Sequence, residues 1–358
     1  MKKELIICTL IFTFVALNFL SCSDKQSGSP TTLTLDLPAQ PYNYGVSNND
    51  AATLGRVLFY DKHLSVNNSI ACASCHKQAI AFSDNVRFSS GFENRVTSRN
   101  SLPIQNVAFA QELFWDGRQK FLAPMVLKPI VNHVEMGMAD VDAVVKKVQT
   151  LPAYKDLFFK AYNSYDIDGL KISDALKTFT SSIRSNNTRF DKFLANMTSF
   201  TAQEMEGREL FFSKYNCASC HVPQVAAGPG YGGVGSSRSI GMANIGLDKN
   251  YADNGLGLIT GDPNDNGKFR IPILRNVALT APYMHDGRFT TLDDVLEHYS
   301  HGIAKHKNLD QRLRDTDNQP KKFNISDQEK TALIAFLNTL TDYTVVTDPK
   351  FSNPFKVK

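Results

Sequence analysis

Apolar residues along this chain recur at helical spacing far more often than they alternate. Over 49–63 the set Leu54, Val57 and Leu58 marks a short amphipathic helix. Asp140 reads as the N-cap of a helix carrying Val141, Val144, Val145 and Val148 on one side. Further helices are expected over 152–162, 172–184 (with Leu176, Phe179 and Ile183), 202–212, 291–299 and 326–340. Asp293 and Asp294 fall in the first turn of 291–299, where carboxylates suit the positive end of a helix dipole. Strand-like alternation is scarce, so a mostly α fold is predicted. The Gly-rich passage 228–267 has no clear period, and at that length it reads as a functional or surface excursion.

Beneath the helical pattern lies an internal repeat. Gly55-Arg56-Val57-Leu58-Phe59-Tyr60 matches Gly207-Arg208-Glu209-Leu210-Phe211-Phe212. Pro103-Ile104 with Asn106-Val107-Ala108 is echoed by Pro272-Ile273 with Asn276-Val277-Ala278, and Asp116-Gly117-Arg118 by Asp286-Gly287-Arg288. After each first block come the same five residue types, Cys72-Ala73-Ser74-Cys75-His76 and Cys217-Ala218-Ser219-Cys220-His221. Two cysteines three apart, followed directly by histidine, are what covalent attachment of a c-type haem requires. The thiols add to the vinyl groups and the imidazole faces the iron. Four cysteines could hold one zinc ion, but the pairs lie too far apart for a compact ribbon. Disulfides would be strained at this spacing and would leave the histidines without a role. Two covalently bound haem c groups are therefore expected. They would sit in two cytochrome c-like domains related by duplication, over 48–200 and 201–345.

Charge is nearly balanced, with 39 basic against 35 acidic residues, and gives no indication of a nucleic-acid partner. At the N-terminus Lys2 and Lys3 precede an apolar run over 5–20, short for a membrane span and laid out like a secretory signal. Ser21-Cys22 resembles a bacterial lipoprotein cleavage site, with Phe19 untypical three residues before the cysteine; an ordinary signal peptide is the alternative. Acylation of Cys22 would tether the protein to a membrane face. Residues 23–47, rich in Ser, Thr, Pro and Asn, then read as the tether. Either form of signal takes the protein to the periplasm. Cys8 lies inside the apolar run, so every cysteine after Cys22 belongs to a haem motif.

The order of these motifs continues with Phe114-Trp115-Asp116-Gly117-Arg118 and Val134-Glu135-Met136 in the first half. In the second half it runs from Leu274-Arg275-Asn276-Val277 to His285-Asp286-Gly287. It resembles the bacterial di-haem cytochrome c peroxidase family, which includes the di-haem enzymes that mature methylamine dehydrogenase. The resemblance covers nearly all of the chain after residue 45. It implies that the haem on Cys72 and Cys75, backed by His76, is the peroxidatic one. Glu135 would be the distal acid that moves a proton between the peroxide oxygens. Trp115, the only tryptophan, would relay electrons between the haems. Taken alone, Glu135 would read as a surface residue and Trp115 as a core aromatic. The resemblance also implies a calcium ion between the domains, held by an asparagine side chain and two carbonyls at Asn100, Thr280 and Pro282, oxygen donors that suit Ca²⁺. Hydrogen peroxide would be the substrate and a small cytochrome c or cupredoxin the electron donor. A homodimer is compatible with the resemblance.

Three departures from the family pattern bear on function. Classical members block the first iron with a histidine in the loop after the first motif, but none lies between His76 and Trp115. The matching loop reads Gly91-Phe92-Glu93-Asn94, so the first haem is expected to be open without reductive activation. The distal glutamine ten residues after Trp115 is here Met125, a poor hydrogen-bond donor, and His133 is a candidate replacement. The sixth ligand of the second haem, a methionine in classical members, falls on Tyr299, fourteen residues after His285. A phenolate stabilises ferric iron where methionine favours ferrous; Met284, His298 and His301 are rival ligands. The leading reading is a peroxidase. The alternatives are a peroxide-dependent oxidase of a protein or small molecule, and a plain di-haem electron carrier.

Overall fold

The computed structural model describes residues 33–225 and 241–357 of the chain. The expected signal segment 1–22, Cys22 included, lies outside the described residues, as do the start of the tether and part of the Gly-rich passage. Among the described residues no helix is long and apolar enough to cross a membrane.

Helices form where caps and apolar faces coincide. Asn48 opens Asn49–Tyr60 by accepting the Ala51 N–H at 2.9 Å, and Asp140 opens Val141–Gln149 by accepting that of Ala143 at 2.7 Å. Proline at the first position starts Pro152–Tyr162, and Asn163 ends it in the left-handed region. Capping boxes, Thr201 with Glu204 and Ser326 with Glu329, open Ala202–Glu209 and Asp327–Asn338. The fold is mostly α, with two small antiparallel sheets of two strands each among the described residues.

Each half is built on one close helix crossing. Asn49–Tyr60 meets Gly169–Ser182 at Gly55, where a β-carbon would stand 1.9 Å from the Ala175 carbonyl oxygen. Ala202–Glu209 meets Asp327–Asn338 at Gly207, with the Ala332 oxygen at the same 1.9 Å. Any side chain would hold these backbones apart, so glycine sets the approach. Leu54, Leu58, Phe59, Leu176 and Phe179 fill the core around the first crossing. Phe211, Leu333, Phe336 and Leu337 fill it around the second. Past each crossing a left-handed asparagine, Asn106 (φ 56°) or Asn276 (φ 61°), opens a 3₁₀ turn. Their backbone N–H groups donate to Ile183 and Leu340 at 2.8 and 3.0 Å.

Element ends and unit boundaries depart from the sequence expectation. The 202–212 helix widens after Glu209 into a π turn, Leu210–Lys214, and 291–299 gives way after Glu297 to another, His298–Gly302. Such insertions leave the apolar spacing nearly intact, so periodicity does not reveal them. The described part of the expected tether is packed down. Leu33–Leu35 pairs antiparallel with Phe355–Val357, and Tyr44 is 2% exposed in the first core. Its polar composition looked like linker because the partner strand comes from the far end of the sequence. A boundary at 200 also falls late, because Arg189–Leu194 already places Phe190 in the second core.

The segment after 342 returns to the first half. Val345 and Phe351 belong to the first core. Arg56 Nε donates to the Ser352 carbonyl at 2.6 Å, and the Tyr60 hydroxyl donates to that of Phe351 at 2.7 Å. Gln78 Nε2 donates to the carbonyls of Val345 and Asp348 at 3.1 and 2.9 Å.

Candidate active site

The first motif forms the one-turn helix Cys72–Cys75, with Cys72 and Ala73 packed on the first core. Burial pushes the Cys72 thiol up to about 12 and that of Cys75 to about 11. His76 Nδ1 lies 3.0 Å from the Phe82 carbonyl, which only accepts, so this nitrogen carries the hydrogen. Nε2 is left with the lone pair that can bind iron.

In the second motif burial raises Cys217 to about 12 and lowers His221 to about 4. The nearby Pro272 carbonyl opposes that fall, although His221 Nδ1 makes no hydrogen bond of good geometry. The cysteine pairs sit on separate cores, all four thiols are free, and no cluster of three or more His, Cys, Asp or Glu that could hold a metal exists among the described residues. The single-zinc and disulfide readings therefore fall away.

A cavity of about 220 Å³ opens beside the second motif, lined by Cys217, Cys220, His221, Met284, Tyr299 and Trp115 among others. Arg270 Nε and His285 Nδ1 are buried without hydrogen-bond partners, and both residues line the same cavity. Unpaired nitrogens in an apolar slot beside two thiols and an imidazole fit a flat apolar group that carries carboxylates, as haem does. Tyr299 lies in this cavity on the π turn, its hydroxyl pushed above the usual phenol range by burial and by the two thiols. Among the rival ligands Met284 also lines it. His298 instead turns Nε2 to the Ile245 carbonyl at 3.0 Å, and His301 sits at the surface against Glu297.

Glu135 stands on a tight turn pinned by Asn132, whose side chain accepts from Val134 N–H at 2.8 Å. The Asn132 carbonyl accepts from Glu135 and Gly137 at 3.1 and 2.8 Å. Burial raises the Glu135 carboxyl, opposed by Arg118, and its charge is felt at Cys72 and Cys75. Arg118 is itself held by both oxygens of Asp116, at 3.0 and 2.8 Å, and packs over the Phe114 ring. The structure thus brings Glu135 to the first motif, far away in sequence. Met125 rests against the first core without a donor, and His133 is exposed, offering Arg95 only its carbonyl.

Trp115, 9% exposed, donates Nε1–H to the Asn100 carbonyl at 2.8 Å. Asn100, Thr280 and Pro282 all line the cavity beside the second motif; the Asn100 amide nitrogen donates to the carbonyls of Val86 and Arg87, which turns its side-chain oxygen the other way. Arg99 ties the halves together, binding Asp116 in the first and both oxygens of Asp253 in the second. Sequence reasoning assigned no role to Arg99, Arg118, Asn132 or Arg270. For Arg118 a signal existed, the repeated Asp-Gly-Arg block.

A family model described as di-haem cytochrome c peroxidase matches residues 49–199. The chain is 31% identical over 305 residues to the methylamine utilization protein MauG of Methylorubrum extorquens, covering 81% of this chain and 78% of that protein. It is 32% identical over 262 residues to the cytochrome c551 peroxidase of Nitrosomonas europaea, covering 73% and 76%. The solved structure of a MauG-like protein associated with microbial copper homeostasis superimposes with a TM-score of 0.75 at 30% identity, covering 92% of this chain and 99% of that one.

Proposed function

The chain belongs to the di-haem cytochrome c peroxidase family, and from that premise we propose that hydrogen peroxide is reduced to water on the face of the first motif that Glu135 lines. Each cysteine pair would hold a haem through thioethers, and that group would supply an iron able to accept and pass electrons. His76 and His221 offer their imidazoles to it. Glu135 takes the proton from the attacking peroxide oxygen and returns it to the departing one. Its burial brings its proton affinity nearer neutrality, where a group that both accepts and donates works best. Trp115 relays electrons from the cavity beside the second motif, two for each peroxide, and two protons drawn from solvent complete the two waters. The supporting observation is Glu135, half-buried and near enough to Cys72 and Cys75 for its charge to act on both thiols, though remote in sequence. The test is spectroscopy of the isolated ferric protein, followed by peroxide and a reduced small cytochrome c or cupredoxin. A high-spin first site without prior reduction and rapid donor oxidation are expected; two low-spin sites inert to peroxide would overturn the reading.

Tyr299 favours a second reading, in which peroxide drives oxidation of a protein or small molecule through the second site. A hard phenolate there would hold oxidising equivalents better than a methionine. A methionine–iron charge-transfer band would exclude it in favour of Met284.

Several finer assignments belong to the same proposal. The halves descend from duplication of a cytochrome c-like domain, supported by the matched crossings at Gly55 and Gly207. A calcium ion sits between them, a reading that rests on the family pattern, with Asn100, Thr280 and Pro282 all lining one cavity. The protein works in the periplasm, tethered through an acylated Cys22 and able to form a homodimer; the anchor rests on the sequence layout alone.

A further inference from the structure

We infer that residues 91–95 form a fixed strut that positions Glu135, with Gly91 as the residue that permits it. This rests on the proposed role of Glu135 as proton carrier. Gly91 has an ordinary extended backbone, φ −94° and ψ −164°, so its lack of a side chain is not a conformational need. Space is the reason. A β-carbon there would lie 1.8 Å from the Val134 carbonyl oxygen and 2.8 Å from that of Glu135.

The contact is fastened on both sides of that point. Phe92 N–H donates to the Glu135 carbonyl at 2.9 Å, and Arg95 donates to the His133 carbonyl at 2.8 Å. The Arg95 guanidinium lies over the Phe92 ring, and Gly91 N–H closes the loop on the Arg95 carbonyl at 2.7 Å. Beneath the ring is Gly137, where a β-carbon would stand 2.5 Å from a Phe92 ring carbon. Glu93 and Asn94 take left-handed backbone angles, 55° and 58°, to complete the turn. From the other side Val66 N–H holds the Met136 carbonyl at 2.9 Å. The Glu135 turn is therefore gripped between the strut and the core. The loop is tied to the backbone that carries the Glu135 side chain, so Gly91, Phe92 and Arg95 act as positioning residues.

The experiment is a double-mutant cycle in the holoenzyme. Gly91→Ala should slow the reaction with peroxide by roughly 10- to 100-fold, the order expected when a reacting group is displaced by about an ångström. Amide exchange of Phe92 should accelerate, while the absorption spectrum of the second haem stays unchanged. In a Glu135→Gln background Gly91→Ala should cost less than about twofold more, because both changes act through one carboxylate. A full multiplicative loss in that background would overturn the strut. If Glu135→Gln alone leaves the rate intact, the role of Glu135 fails, and the inference with it, by a distinguishable route. Arg95→Ala, which removes one of the fastenings without crowding, should show the same non-additivity if Gly91→Ala does not fold. Val96→Ala, at an exposed position, should change nothing.

Discussion

The two halves share a scaffold and part company at the tip of each site. In both, a glycine lets one helix cross another at the same carbonyl distance, and the packed rings Phe59–Phe179 and Phe211–Phe336 have the same 5.3 Å centroid separation. In both, a left-handed asparagine starts a 3₁₀ turn, and an Asp-Gly-Arg block follows with the arginine folded onto its own aspartate. Beyond that block the first half makes a tight turn that presents a carboxylate, whereas the second runs a helix into a π turn that presents a phenol. Partners of the arginines differ too. Arg118 faces Glu135, whereas Arg288 is paired with Asp248 as well as Asp286. A common frame gives both halves a similar place for a flat cofactor, and under the proposed function a few residues on its far side decide whether that place reacts or conducts.

The largest break in the comparison should come from Glu135→Gln, which is expected to slow peroxide reduction by about 10²–10⁴-fold, the usual worth of a positioned acid–base group. In the unaltered protein the rate should fall as pH drops through a value above the ordinary 4.5, because burial raises this carboxyl and a group already protonated cannot accept. Stopped-flow rates against pH should show that acid limb, and the glutamine variant should lack it. Phe351→Ala comes next. It empties a site against Phe82 and Phe179 and should cost about 3–5 kcal/mol, loosening the first core before the second in hydrogen exchange. Gly55→Ala and Gly207→Ala should each cost about 1–3 kcal/mol in denaturant unfolding. Costs differing by more than that range would show that the two crossings are alike in shape but not in load. Tyr299→Met should disturb stability least. It should raise the potential of the second site by some part of the roughly 0.8 V that axial ligands span, leaving the spectrum of the first unchanged.

Much of this frame was legible from residues one turn apart. Asp140, Pro152 and Ser326 announce helix starts because capping is local chemistry. The haem motifs were legible for the same reason. Illegible features depend on partners remote in sequence: the 33–35 strand needs 355–357, and Phe190 needs Phe336. Glu135 could be named only through its motif, since nothing near it in sequence predicts a position within electrostatic reach of Cys72. The stretch 82–100 carries no helical or strand period. Its Arg99 and Asn100 turn out to join the halves, through Asp253 and the His285 carbonyl, a role set by two distant loops.

The return of residues 343–357 to the first half bears on how the molecule is made. A chain synthesised from its N-terminus exposes Asn49–Tyr60 and the first cysteine pair long before Val345 and Phe351 exist to close the core around them. Phe351 packs on Phe82, whose carbonyl orients His76, so the first imidazole gains its final support only when the distant segment arrives. Maturation of the first site is thereby tied to completion of the second, and a fragment cut between the halves would leave the first one open at its back.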